Sequence, residues 1–411
     1  MYTTIFYIII LIIIADYLFE RWLAYLNSKT RGSALPDELL GIYDQDKLQK
    51  SINYDKVSSK FGNVTSTFNL AVILLVLFMF GFAYVDYLAG VITQNLIYKA
   101  LLFFAVIGFV SDIINTPFSI YDTFVIEEKF GFNKTTPKLF ILDKIKGWIL
   151  SLIVGGGLMF VILWFYYKTT DMFWIYSWVI VSIVMIFFAM FYSNLIVPLF
   201  NKQVPLEDGE LKSAINNFAL KVGFKLDNIY TIDGSKRSTK ANAYFTGLGK
   251  KKRIVLYDTL IKELSVNEIV AVLAHEIGHY KKKHTLQSLV ISILQTGFTF
   301  YLITLFLKTP ALSQALGVKD PCFHIGIIAF GILYSPISLI IGLAMNMLSR
   351  KNEYQADAFA KEKFGAEHLI MALNKLSVNN LNNLTPHPLY VFFHYSHPTL
   401  LQRIIALKGN D

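Results

Sequence analysis

Apolar residues dominate seven stretches of the chain, near 4–26, 67–89, 98–120, 146–167, 173–197, 286–307 and 324–349. Each approaches or exceeds the roughly 20 residues an α-helix needs to cross a bilayer. The third stretch is interrupted by Asp112 and Pro117, and the fourth contains Gly155-Gly156-Gly157. The first has no basic segment before it and no small-residue cleavage site after it, so it reads as a retained span rather than a removed leader. Polar positions collect in two places large enough for a domain outside lipid, 198–285 and 350–411. The chain thus divides into helices one to five with their loops (1–197), a polar domain (198–285), helices six and seven (286–349) and a C-terminal segment (350–411).

Within 198–285 the periodicity changes. Residues 228–233 read as a strand, and ANAYFT at 241–246 with KRIVLY at 252–257 reads as a hairpin around Gly247-Leu248-Gly249-Lys250. A helix starts at Ser265, where Ser265 and Glu268 have capping-box spacing before an apolar run. Residues 376–388 are rich in Asn and read as a loop.

Composition agrees with a polytopic membrane protein. Hydrophobic residues make up 54% and charged residues 16%, against about 25% charged in soluble domains. A formal charge of +9 could suggest nucleic acid, but the basic residues are sorted by loop. The two shorter basic loops, 27–66 and 121–146, carry eleven Lys/Arg, whereas the loops on the opposite side carry Lys99, Lys168, Lys308 and Lys319. By the positive-inside rule the N-terminus faces out and both polar segments face the cytoplasm. The basic balance then needs no nucleic-acid partner. The single cysteine, Cys322, rules out an intrachain disulfide and a cysteine-based zinc ribbon, and reads as structural.

Chemistry is concentrated in Ala274-His275-Glu276-Ile277-Gly278-His279. Histidines at i and i+4 share a helix face and can hold one ion. Glu276, one position on, sits beside that ion, where it can take a proton from an activated water. Alone, the motif can also arise by chance in an ordinary surface helix. A catalytic zinc takes three protein ligands, and Glu353 can supply the third from the end of the seventh span. Asp357, four residues on, can accept the other ring N–H of a ligand histidine. Taken singly, Glu353 and Asp357 would be a solvated charged flank. Of the remaining histidines, His284 follows three lysines and reads as interfacial. His324 lies on the far side of the membrane, and His368, His387 and His394 have no telling spacing. By spacing alone His397 belongs to a turn.

Seven blocks stand in order along the chain: IEEKFGFNKTT (126–136), VPLFNK (197–202), DGSKRSTKANAYFTG (233–247), KKRIVLYDTL (251–260), AHEIGHYK (274–281), RKNEYQADAFA (350–360) and YSHPTLLQRI (395–404). Through them the chain resembles the type I, zinc-dependent integral-membrane CAAX prenyl proteases, and the resemblance runs over most of its length. It implies a seven-helix membrane fold with a cytoplasmic α+β zincin-like domain, and one Zn2+ per chain on His275, His279 and Glu353. It further implies Glu276 as general base and Asp357 as a partner of the metal site. His397 and Arg403 would lie near the scissile carbonyl, with His397 stabilising the oxyanion. The strand Asn242-Ala243-Tyr244-Phe245 would pair with the substrate by β-augmentation. The implied partners are the lipid bilayer and a peptide or protein substrate prenylated at a C-terminal Cys, for removal of the three terminal residues. A membrane quality-control zinc protease is the alternative enzyme. A lipidated-peptide binding or transport protein is the alternative outside catalysis.

The family also encloses a water-filled chamber. Asp112, nearest mid-span, is the residue expected to face it, while Asp16 and Asp86 either do the same or snorkel to an interface. Thirty-two Lys against six Arg, a short chain and no C-terminal Lys-Asp-Glu-Leu suggest a bacterial member in the cytoplasmic membrane. A eukaryotic one would sit in the endoplasmic reticulum.

Overall fold

Long apolar runs with few breakers favour helices, since helices alone satisfy every backbone hydrogen bond within one segment. The computed structural model describes residues 3–224, 228–246 and 253–409. Its first six helices are α1 (Thr4–Lys29), α2 (Gln45–Phe78), α3 (Gly81–Ile92), α4 (Leu96–Phe130), α5 (Pro137–Thr169) and α6 (Phe173–Phe200). The polar domain holds α7 (Glu210–Lys221), α8 (Asp258–Glu263) and α9 (Val266–Lys281). Then come α10 (His284–Leu307), α11 (Ala311–Ala315), α12 (Phe323–Lys363), α13 (Ala366–Asn379), α14 (Pro388–His394) and α15 (Leu400–Lys408). The Asn-rich loop is therefore shorter than expected, because α13 runs to Asn379.

Among the described residues, six helices are long and apolar enough to cross a membrane: α2, α4, α5, α6, α10 and α12. The first, α1, has the length, but carries Asp16, Glu20 and Arg21. Each has a partner within the chain: Ser335 Oγ donates to Asp16 at 2.6 Å, Arg21 donates to Asn63, and Glu20 lies 3.4 Å from His394. The second expected span, 67–89, is not one helix. Phe80 takes a left-handed conformation (φ 51°) and separates α2 from α3. The cost of that conformation for a non-glycine residue is carried by packing that sequence periodicity does not show.

Only 6–17% of residues in the most apolar windows of the six helices are buried. Solidly packed helices would each bury a stripe, so these have access on more than one face. Buried packing concentrates at one end of the bundle, around Phe6, Phe82, Phe103, Leu163, Phe173 and Phe323. Asp86 is there too. It does not snorkel; it is 7% exposed, with Lys99 Nζ and His324 Nε2 each 2.7 Å from Oδ1. Asp112 is likewise paired, to Lys144 at 2.8 Å through both oxygens and to Trp148 Nε1 at 3.0 Å.

The polar domain is built on a four-stranded sheet in the order β1-β2-β4-β3, with β1 (Gln203–Pro205), β2 (Asn228–Ile232), β3 (Ala243–Thr246) and β4 (Arg253–Tyr257). Strands β2 and β4 are parallel. The expected hairpin is present, antiparallel with Tyr244 opposite Val255, while its turn lies outside the described residues. Among the described residues this leaves β3 as an edge strand. The buried face of the sheet packs with α7, α9 and α13 around Ile215, Phe218, Ile254, Leu256 and Ile277.

The 41-residue α12 is about 60 Å long at 1.5 Å per residue, against about 30 Å of hydrocarbon. Residues 350–363 are therefore not a separate C-terminal element. They continue the same rod into the polar domain, with Asn352, Glu353, Ala356, Asp357 and Ala360 buried.

Candidate metal centre and active site

Helix α9 begins with a complete capping box. Ser265 Oγ accepts from Glu268 N, and Glu268 returns a bond to Ser265 N at 2.7 Å. Glu268 is buried yet paired with Lys375 at 2.7 Å, which anchors the start of α9 against α13. One face of α9 carries His275 and His279. The opposing face of α12 carries Glu353 and Asp357.

The approach of the two helices depends on Gly278. A Cβ there would lie 3.0 Å from Ala356 Cα and 3.1 Å from Ala356 O. With glycine in place, His275 Nε2 and His279 Nε2 are 3.1 Å apart, and Glu353 oxygens lie 3.4 and 3.2 Å from them. Tetrahedral bonds of about 2.05 Å to one ion would separate ligand atoms by about 3.3 Å. Glu353 Oε2 is also buried without a hydrogen bond. The donor set is one carboxylate and two imidazoles, converging on one point with an orphaned oxygen, and it fits a catalytic metal.

Behind this triad, His275 Nδ1 is 2.8 Å from Asp357 Oδ1. Arg403, from α15, clamps the same carboxylate through Nε at 2.9 Å and Nη2 at 2.6 Å. Arg403 Nη1 also lies 3.7 Å from Glu353. Its ion pairs are thus to Asp357 and Glu353, although it also borders the cleft. His397 Nε2 is 3.3 Å from Glu353 Oε1, with 62% of its side chain exposed at the mouth. Glu276 opens to the cleft between the triad and β3. Burial pushes its carboxyl pKa above the ordinary value, against the pull of His275 and His279.

The cleft, a cavity of about 370 Å³, is bordered by Asn242 and Ala243 at one side and by Leu369, Leu373 and Leu376 at another. Tyr244 is turned toward α6, its hydroxyl 3.4 Å from Ser193 Oγ. Phe245 pairs through its backbone with Ile254. His368, His387 and His394 do not border the cleft.

His284, expected at the interface, is instead buried, at 4% exposed. Its Nδ1 lies 3.0 Å from His279 Nδ1, and its Nε2 lies 2.9 Å from Gln355 Oε1. A spacing of five from His279 does not mark a shared helix face, and the preceding lysines hide it. The only local hint is the helix break at Lys283.

A family model described as the CAAX prenyl protease N-terminal part, with five membrane helices, matches residues 24–202, and that of peptidase family M48 matches 205–411. The chain belongs to the CAAX prenyl proteases of peptidase family M48. It is therefore a polytopic membrane metallopeptidase. The CAAX prenyl protease 1 of Saccharomyces cerevisiae is 37% identical over 96% of this chain and 93% of its own length. The CAAX prenyl protease 1 homologs of Arabidopsis thaliana and Homo sapiens are 37% and 33% identical, over 100% and 95% of this chain and 98% and 93% of their own lengths. The crystal structure of S. mikatae Ste24p superposes with a TM-score of 0.93 at 38% identity, covering 98% of this chain and 99% of that one. The chain covers 93–99% of the lengths of these relatives.

Proposed function

We propose that this protein is a seven-span zinc endopeptidase that removes the C-terminal tripeptide of prenylated CAAX proteins at the cytoplasmic face of its membrane. The observation that carries the reading is the convergence of His275, His279 and Glu353 within 3.1–3.4 Å, beside the free edge of β3. A zinc ion held there would act as a Lewis acid toward a water molecule and the scissile carbonyl.

The chain's own residues do the rest. Glu276 takes the water proton and returns it to the leaving amine; its raised pKa suits both directions. His397 Nε2 donates to the carbonyl oxygen as that atom gains charge. Asp357 and Arg403 hold the imidazole of His275 in register. The unpaired edge of β3, with Asn242 and Ala243 at the cleft, takes an extended substrate backbone by strand addition, a recognition tolerant of side-chain sequence.

Orientation rests on loop charge: with seven spans, both polar segments lie on the basic side. Counting α1 as a span is supported by the internal partners of Asp16, Glu20 and Arg21. One zinc per chain is the reading because, among the described residues, the other cluster of metal-binding side-chain types, Asp86, Cys322 and His324, does not call for a second ion. There Lys99 already supplies the positive charge, 2.7 Å from Asp86. Low burial along the spans supports a hollow bundle.

The test is cleavage of a farnesylated C-terminal peptide and its unprenylated twin by purified protein. Loss of the tripeptide from the farnesylated peptide, abolished in Glu276→Gln, is expected. Equal cleavage of both peptides would favour a quality-control protease, and undiminished activity of Glu276→Gln would remove the general base.

A further inference from the structure

The proton on each ligand histidine must sit on the nitrogen that does not face the metal. For His275 that is Nδ1, and Asp357 accepts it. For His279, whose Nε2 joins the triad, it is again Nδ1, and the partner is a third imidazole. We infer that His284 and Gln355 form a relay that fixes the tautomer and ring orientation of His279; this rests on the metal reading above.

With His279 Nδ1–H as donor, His284 Nδ1 must be the acceptor across 3.0 Å. The proton of His284 is then on Nε2, where only an acceptor will do, and Gln355 Oε1 is 2.9 Å away. The four roles close without conflict: His279 Nδ1 donates, His284 Nδ1 accepts, His284 Nε2 donates and the Gln355 carbonyl accepts. An amide carbonyl at the end of the relay also explains why it is neutral. Asp357 already brings a negative charge to the first histidine, and Arg403 balances it.

The backbone is bent to build this contact. Lys283 adopts a left-handed conformation (φ 60°) between α9 and α10. Such a conformation is unfavourable for a residue with a Cβ, and glycine is the usual occupant of this helix-ending position. The turn brings His284, the first residue of α10, back under His279. Gln355 comes from α12, between Glu353 and Asp357. The relay therefore joins three helices at the metal: α9 gives the ligand, α10 the acceptor and α12 the anchor. A second cavity of about 320 Å³, lined by His279, His284, Ser288 and Asn352, lies on this side of His279. Without a partner, the ring would be free to turn into that space.

The experiment measures the zinc dissociation constant of the purified full-length protein by chelator competition. Partners of this kind are worth roughly 10- to 100-fold in metal affinity, and His284→Leu should weaken binding by about that factor. His284→Asn keeps an oxygen acceptor where Nδ1 stood and should stay within about 3-fold of the parent. Gln355→Leu, which removes only the anchor, should weaken binding by less than His284→Leu, and it serves if the histidine variant does not fold. Equal zinc affinity in parent, His284→Leu and Gln355→Leu would overturn the relay. So would an Asn variant as weak as the Leu variant, which would make the loss one of packing. A parent that binds no zinc would instead overturn the metal reading itself.

Discussion

Replacing Gly278 by alanine tests whether the spacing of α9 and α12 is what makes the metal site. The added Cβ would meet Ala356 Cα at 3.0 Å, Ala356 O at 3.1 Å and Phe359 Cβ at 3.2 Å. Two of these neighbours are backbone atoms, which cannot swing aside. Unstrained carbon contacts lie at about 3.5–4.0 Å, so the helices must part by roughly 0.5 Å. Glu353 lies three residues before Ala356, one turn along the same helix, and moves with it. A metal site tolerates about 0.2 Å in its bond lengths, so the third ligand falls out of range. In a helix interior the same change would otherwise gain about 1 kcal/mol in propensity. Overpacking costs roughly 1–3 kcal/mol and offsets or exceeds it. We expect Gly278→Ala to bind zinc at least about 10-fold more weakly, a loss of about 1.4 kcal/mol, with little change in Tm under chelation. Gly147→Ala is the control: nothing lies within 4 Å of its added Cβ, and zinc affinity should be unaltered. Parental zinc affinity in Gly278→Ala would refute the argument that helix approach sets the ligand triangle.

His397→Ala should lower kcat more than it raises KM, because a donor to the developing oxyanion acts mainly in the transition state; a pure KM effect would assign His397 to substrate binding. Asp357→Asn keeps an oxygen that can accept the His275 proton but removes the negative charge, and leaves the largely buried Arg403 without its carboxylate. Breaking such a pair costs about 3–5 kcal/mol, so both Tm and zinc affinity should fall, and a variant unchanged in either would contradict the clamp. Lys283→Gly should stabilise the protein by about 1 kcal/mol, by relieving a left-handed non-glycine residue, seen as a raised Tm in detergent with zinc affinity kept. A lower Tm would mean that the Lys283 side chain holds the turn.

Local geometry made much of this protein readable in one dimension. His275, Glu276 and His279 lie within two turns of one helix, so their mutual placement follows from 3.6 residues per turn. The same holds for Glu353 with Asp357, and for Ser265 with Glu268 in its capping box. Apolar runs of spanning length mark the membrane helices, because lipid imposes the same demand on each, independent of its neighbours. Which face meets which neighbour is another matter, since it depends on the packing of the whole bundle. The pairing of Asp86 with Lys99 and His324, the break at Phe80 and the unbroken course of α12 into the polar domain were decided there. So was His284, whose two partners stand 5 and 71 positions away and meet only after a left-handed turn reverses the chain. The two histidine ligands proposed here could be named from spacing because one helix already brings them together; Glu353 and the groups that hold the histidines in place come from other helices, and only burying those helices against each other brings them to the site.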